Sequence, residues 1–357
     1  MSEEFSSLKI NSRIKHLILK DYLPAWEAIL GRYHGRMLYF DCYAGPGSYR
    51  WRNKEIEGSP VIAIQTAGEW LKKNPRKEMR LVFIEEDANQ KIKLEKAISE
   101  FRDNPKNLYI EVISGKAEDI VSKLLADVKN LAPAFFFLDP YGHPLEMYLI
   151  REILKRQRTE VLINFMYYQI NRDIGNSLVE DKVTKLFGTT AWKDQPFVNL
   201  SGSQREQGIL DYYIQQLGVR YYIPFKIRFG SDEKVAASRT KYYLIHATNH
   251  FLGFDKMLEA MWKHGSEGSL DCGDGQMVLF PEKTVDSLKD FLRGKYCVQE
   301  IAFDKMREEN WRLYYREKEF RESLQVLKKE NKVEFVPVTS KTERGCKGND
   351  RIRFVGD

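Results

Sequence analysis

A chain of 357 residues with 43% hydrophobic, 30% charged and 13% aromatic side chains holds enough apolar material for two to three folded domains of roughly 100–200 residues each, which excludes a disordered or fibrous polypeptide. No apolar run nears the roughly 18 residues that cross a bilayer, and residues 1–9 are polar where a secretory leader is apolar, so a cytoplasmic protein with no membrane partner is expected. The net charge of +6 permits an anionic partner without demanding one; residues 283–357 hold 18 Lys and Arg against 14 Asp and Glu, which is most of the excess. Cys42, Cys272, Cys297 and Cys346 lie far apart with no C-x-x-C pair, so reduced thiols are expected rather than a disulfide framework or a zinc knuckle.

The first predicted element is a helix over residues 10–30, interrupted at Pro24 and ended at Gly31. Four short apolar runs follow, at 37–40, 81–84, 109–113 and 134–138, separated by helical patterns at 59–72, 89–102 and 117–128. Near-continuous apolar runs of this kind are what parallel strands covered on both faces look like. Ser59 supplies a capping hydroxyl and Pro60 a first helical residue. A fifth strand, 160–165, follows a helix over 146–155. Beyond a stretch without a clear period, 221–229 and 241–247 form an antiparallel edge pair, followed by a helix over 253–264 and a glycine-rich break with Pro281 shortly after. The remainder reads as helices at 284–293, 301–310 and 315–331 and strands at 333–338 and 352–355, the order of a winged helix with its third helix as the recognition helix. Its wing carries Lys341, Arg344, Lys347, Arg351 and Arg353 against Glu343 and Asp350. The expected fold is therefore α/β. An N-terminal helical segment (1–31) precedes a doubly wound Rossmann-like domain with an antiparallel edge pair (32–275), and a winged-helix domain (283–357) follows.

Three motifs sit at strand ends. Asp41-Cys42-Tyr43-Ala44-Gly45-Pro46-Gly47 follows the first strand, where small residues let backbone N–H groups approach a nucleotide-like ligand. No Gly-Lys-Ser/Thr accompanies it, which disfavours a phosphate-binding P-loop. The loop 48–58, with Arg50, Trp51, Arg52 and Lys54, reads equally as a solvated surface loop or a substrate lid. Glu85 ends the second strand, where a carboxylate accepts from a ribose diol; Glu86 and Asp87 are alternatives, and all three also suit a helix N-terminus. Asp139-Pro140-Tyr141-Gly142 closes the fourth strand. A carboxylate and a following carbonyl accept hydrogen bonds from an exocyclic amine, and Tyr141 offers a face for a base to stack on. Tyr167, Tyr168 and Gln169 serve equally as base-pocket lining or as core and rim. His246 and His250 have ligand spacing only on a helix face, and His246 falls in a predicted strand, so no metal site is expected.

These motifs, in that order, resemble the first, second and fourth motifs of class I S-adenosylmethionine-dependent methyltransferases. The tetrad is similar to the Asp-Pro-Phe-Gly of tRNA guanine-N2 enzymes and less so to the Asp-Pro-Pro-Tyr of adenine-N6 enzymes. The run from Tyr39 to Gly47, Gly58-Ser59-Pro60, Asn164-Phe165, Asn171-Arg172 and Trp192 also resemble the TcmP family, the three-Cys-motif partner proteins. The resemblance implies S-adenosylmethionine bound by Asp41, Tyr43, Ala44, Gly45, Gly47, Glu85, Ala117 and Glu118, with methyl transfer to an exocyclic base amine at Asp139, Pro140, Tyr141 and Gly142. Lys116 stands where an acid usually contacts adenine, and Glu118 or a backbone group would take its place. Nucleic acid, DNA or RNA, is the implied partner, with Lys318, Arg321, Lys341 and Arg344 as contacts. The competing expectations are a non-catalytic binding partner of a three-Cys-motif protein of iron–sulfur or radical type, and a DNA-binding regulator that uses only its C-terminal segment.

Overall fold

The computed structural model describes residues 10–51, 54–101, 105–128, 130–140, 145–229, 235–236, 239–265, 270–272, 284–336 and 348–356. These form two units, the first reaching His264 and including 270–272, the second holding 284–356.

In the first unit, helix α1 (Ile10–Leu30) leads to β1 (Arg36–Asp41), the hairpin β2 (Ser48–Trp51) and β3 (Lys54–Glu57), α2 (Ser59–Lys73), β4 (Glu78–Glu85), α3 (Ala88–Ser99), β5 (Leu108–Ser114), α4 (Ala117–Asp127) and β6 (Ala134–Leu138). Then come α5 (Met147–Leu154), β7 (Thr159–Phe165), α6 (Tyr167–Asp173), α7 (Glu180–Phe187), α8 (Gly202–Leu217), β8 (Tyr221–Arg228), β9 (Thr240–Thr248), α9 (Phe251–Trp262) and the two-residue β10 (Asp271–Cys272). The sheet order is β5-β4-β1-β6-β7-β9-β8-β10. Strands β5, β4, β1, β6 and β7 run parallel, and β9 is antiparallel to both β7 and β8. Every residue of Ala-Phe-Phe-Phe-Leu in β6 and all of β7 are buried, because helices cover both faces there.

Several expectations shift by a residue or two, and others change in kind. Pro24 lies within an unbroken α1. The loop 48–58 is largely the hairpin β2–β3, paired from Ser48 with Glu57 to Trp51 with Lys54. At the start of α2 the N-cap is Gly58, with Ser59 already helical and no side-chain cap. The stretch without a clear period holds α6, α7 and α8, and Phe187 of α7 with Tyr212 and Tyr213 of α8 and Phe197 between them pack edge-on and tilted rings.

Helix α1 packs on α2 and α9. Its buried stripe is Lys15, Ile18, Leu19, Tyr22 and Trp26, at i, i+3, i+4, i+7 and i+11. The Tyr22 hydroxyl donates to Glu160, whose carboxylate also meets His246 Nε2 at 2.9 Å, and the Tyr22 and Trp26 rings lie 5.4 and 6.0 Å from Phe135. Burying rings of this size stabilises the seam by about 1.5–3 kcal/mol each.

The second unit contains α10 (Val285–Lys295), β11 (Glu300–Ala302), α11 (Phe303–Glu309), α12 (Glu317–Lys329), β12 (Val333–Val336) and β13 (Arg351–Phe354). Its antiparallel sheet has the order β11-β13-β12, and Leu288, Leu292, Phe303, Met306, Phe320, Leu324, Leu327 and Ile352 form its core. The short strand β11 ahead of α11 lies where the sequence reads as the start of a helix.

Candidate active site

Four loops are stitched together at the carboxyl edge of the parallel strands. The Cys42 N–H donates to the Phe137 carbonyl (3.0 Å), the Ala44 N–H to the Ile84 carbonyl (3.0 Å) and the Gly115 N–H to the Glu85 carbonyl (3.2 Å). The loop after β1 is thereby fixed against the ends of β6 and β4, and β4 against the end of β5. Such an edge is where open α/β sheets bind ligands.

A cleft of about 1110 Å³ opens there, lined by Tyr43, Gly45 and Tyr49, by Glu85, Glu86 and Asp87, and by Lys116, Ala117, Glu118 and Asp119. Glu85 takes the Gly45 N–H on Oε2 and the Asp87 N–H on Oε1, both at 2.8 Å. A carboxylate has about four acceptor sites, so both oxygens retain capacity toward the cleft. Asp87 is occupied differently, capping α3 through the N–H groups of Asn89 and Gln90. The Tyr43 hydroxyl donates to Glu118 Oε1 at 2.6 Å, bridging the glycine turn to α4, and burial together with Glu118 pushes the Tyr43 pKa up.

The two glycines of the turn part company. Gly45 lines the cleft at φ +62°, and a Cβ there would stand 2.7 Å from the Tyr49 hydroxyl. Gly47, at φ +78°, is absent from the cleft; its carbonyl accepts the Gly58 N–H at 2.7 Å, and a Cβ would press on Leu94 and Ala97 at 3.0 Å. Asp41 is fully buried beneath the turn. Burial raises its carboxyl to about 7 and the Asp139 charge adds to that, while the Ser59 hydroxyl and the Tyr43 backbone oppose it.

The tetrad is held from two sides. Asp139 Oδ2 accepts from Lys15 Nζ at 2.5 Å and Oδ1 from Asn164 Nδ2 at 2.6 Å. Pro140 and Asn164 border a second cavity of about 220 Å³, and Lys182 lies on the wall of both. Asp139 itself is not part of the cleft lining. Tyr141 and Gly142 lie outside the described residues, as do Lys341 and Arg344. Beside Lys15, His16 is buried against Tyr49 with ring centroids 5.7 Å apart; burial, reinforced by the Lys15 charge, lowers its pKa to about 4. In the second unit Lys318 lies 3.7 Å from Glu322, and Arg321 pairs with Glu317 at 2.5 Å and covers the Phe303 ring.

Lys15 is the site residue that the motif reading misses. Its signal was present in the chain: a lysine in line with Ile18, Leu19, Tyr22 and Trp26 on a helix face that is otherwise apolar needs a buried anion. Asn164 stood out only through family resemblance, and its geometry now gives it work.

Counting from the first strand and setting aside the hairpin and the two-residue β10, the sheet order is 3-2-1-4-5-7-6 with the seventh strand reversed. That is the Rossmann-like sheet of class I methyltransferases, and the first unit has this fold. No family model matches the chain, and no curated protein matches it. Similar solved structures include protein LPL1258 of Legionella pneumophila, from the family DUF519 (13% identity over 71% of this chain and 91% of that one, TM-score 0.42). Others are a Bacillus cereus O-methyltransferase in complex with SAH (13%, 68% and 82%, 0.35) and MnmC2 of Aquifex aeolicus (12%, 68% and 63%, 0.33). At such values the likeness adds nothing to the strand order, on which the fold assignment rests.

Proposed function

We propose that this chain is an S-adenosylmethionine-dependent methyltransferase acting on an exocyclic amine of a nucleic-acid base. The observation that carries the reading is the convergence of the glycine turn, Glu85 and the first turn of α4 on one cleft, whose Lys182 also lines the cavity that Pro140 borders. The residues fit the cofactor. Gly45 leaves a cradle that a side chain would fill, and Gln90 Oε1 on the cleft wall is shielded from water with no hydrogen-bond partner among the described residues. Glu85 would hold the ribose hydroxyls, and Ala117 with the Glu118 region would border the adenine. Bound there, the cofactor supplies an electrophilic methyl group on sulfur. An exocyclic amine is a poor nucleophile because its lone pair is delocalised into the ring. Hydrogen bonds from its N–H groups to Asp139 and to the Pro140 carbonyl favour the tetrahedral nitrogen that attacks, by positioning and electrostatics rather than by a strong base. Lys15 and Asn164 fix the two carboxylate oxygens for that task.

The second unit, with the order helix, strand, helix, helix, hairpin, supports a winged helix that docks the nucleic acid. One observation favours a second reading, that of a non-catalytic partner of a three-Cys-motif protein: Lys15 already occupies Oδ2 of Asp139. Calorimetry with S-adenosylhomocysteine, followed by radiolabelled methyl transfer to RNA and DNA, separates the two. The enzyme reading requires cofactor-product binding, with transfer lost in Asp139→Ala while binding persists; absent binding establishes the module.

A further inference from the structure

Behind the tetrad, the cavity of about 220 Å³ is smaller than the ~300–1,000 Å³ of sites that take drug-sized ligands. It has room for one ring system and not for a whole nucleotide. Its walls are mostly apolar, with Phe165 and Val183 among them, in an interior that is otherwise close-packed. Two residues of that lining carry a polar atom that is buried and has no partner among the described residues, Asn164 Oδ1 and Tyr213 Oη. The Asn164 amide has a defined orientation. Its Nδ2 donates to the Asp139 carboxylate, which only accepts, so Oδ1 is the atom left over. A buried carbonyl oxygen and a buried hydroxyl without partners are costly unless something polar reaches them.

Resting on the reading above, we infer that this cavity is the seat of the acceptor ring: a single nucleobase, extruded from its stack, enters beside Pro140 and presents an N–H to Asn164 Oδ1 and a ring nitrogen or carbonyl to Tyr213 Oη. With both amine N–H groups engaged by Asp139 and Pro140, the further N–H for Asn164 is one that guanine offers through N1 and adenine and cytosine do not, and the mostly apolar walls, which also carry Asp173 and Lys182, suit its ring. Asn164 then couples recognition to chemistry, because the same amide that reads the base orients the carboxylate that receives its amine. Tyr213 is a specificity residue outside the motifs, on α8.

The test uses the full chain with 13C-labelled Ile, Leu and Val methyl groups, saturated with S-adenosylhomocysteine so that the main cleft is filled. Adenosine, cytidine and guanosine are then added singly. At least one should shift the Val183 and Leu186 methyl resonances saturably. Tyr213→Phe, which removes only an unpartnered hydroxyl and leaves the ring, should keep the fold and weaken that binding about three- to tenfold. Val183→Phe, which fills the cavity, should abolish it along with methyl transfer. The inference is overturned if no nucleoside perturbs those methyl groups at millimolar concentration, if Tyr213→Phe binds as the parent does, or if Val183→Phe folds and transfers at the parental rate. Loss of S-adenosylhomocysteine binding in the parent protein would instead strike the proposed function and leave the nucleoside titration, repeated without it, to decide the cavity.

Discussion

Gly45 and Gly47 lie two residues apart, both in the left-handed region, and are asked for different things. At Gly45 a side chain would meet the Tyr49 hydroxyl on the cleft wall, whereas at Gly47 it would press into Leu94 and Ala97 of α3. The left-handed backbone costs an L residue about 1–2 kcal/mol at either position. Gly47→Ala should therefore lower stability by that amount or somewhat more, with S-adenosylhomocysteine affinity changed less than about threefold. Gly45→Ala should have a similar stability cost and also weaken the cofactor product at least tenfold, by way of Tyr49. Paired thermal melts and calorimetry check this, and equal affinity losses would show that the distinction is wrong. Lys15 separates in the same manner. Lys15→Met leaves Asp139 held by Asn164 alone, so kcat should drop about 10–100-fold, the scale of a small misplacement of a reacting group. Cofactor-product affinity, which depends on another cleft, should stay within about threefold. A matched loss of both would assign Lys15 to the cleft instead.

At the scale of elements, α1 packs on α2 and α9 within the same unit as the sheet. Gly31 ends α1 against the Trp70 ring, where a Cβ would stand 2.1 Å away. Glu27, buried in that seam, has its pKa raised to about 8 by burial, with the Thr66 hydroxyl opposing and Glu69 adding. The native chain thus keeps a proton that the unfolded chain releases near pH 4.5, so stability should fall as pH rises from about 4.5 to 8. Glu27→Gln should flatten that part of a urea-midpoint profile and raise stability at pH 8 by up to a few kcal/mol, and an unchanged slope would remove Glu27 as its source. The same seam shows why legibility was uneven. Strands such as Ala134–Leu138 announce themselves because burial on both faces demands an unbroken apolar run. The glycine turn and Glu85 were legible because their chemistry is local to strand ends. Lys15 and Tyr213 were not, since their partners are 124 residues away in one case and a cavity in the other. Helices α6 to α8 were missed because their aromatic residues pack on one another rather than repeating at a helical period.

For the whole molecule the division into two units separates two kinds of affinity. The cleft, the tetrad and the cavity all belong to the first unit, and the second has its own core with a surface laced by ion pairs. Arg351 and Arg353 both reach Glu300 at 3.0 Å, and Arg321 is held by Glu317. Exposed pairs of this kind contribute about 0–1 kcal/mol each, so a phosphate can displace the acid, but each displacement reduces what the contact adds. Nucleic-acid binding by this unit should therefore be of modest strength and steeply dependent on salt. Deleting residues 277–357 should leave S-adenosylhomocysteine affinity as in the full chain and weaken binding to a duplex at least tenfold at low salt. Within the full chain, Lys318→Ala should reduce the slope of log K against log salt by about one, the loss of the single phosphate contact proposed for this exposed lysine. Arg321→Ala should lower the melting temperature as well, since that side chain also covers Phe303. A slope unchanged by Lys318→Ala, together with duplex affinity retained after the deletion, would move the nucleic-acid surface to the first unit.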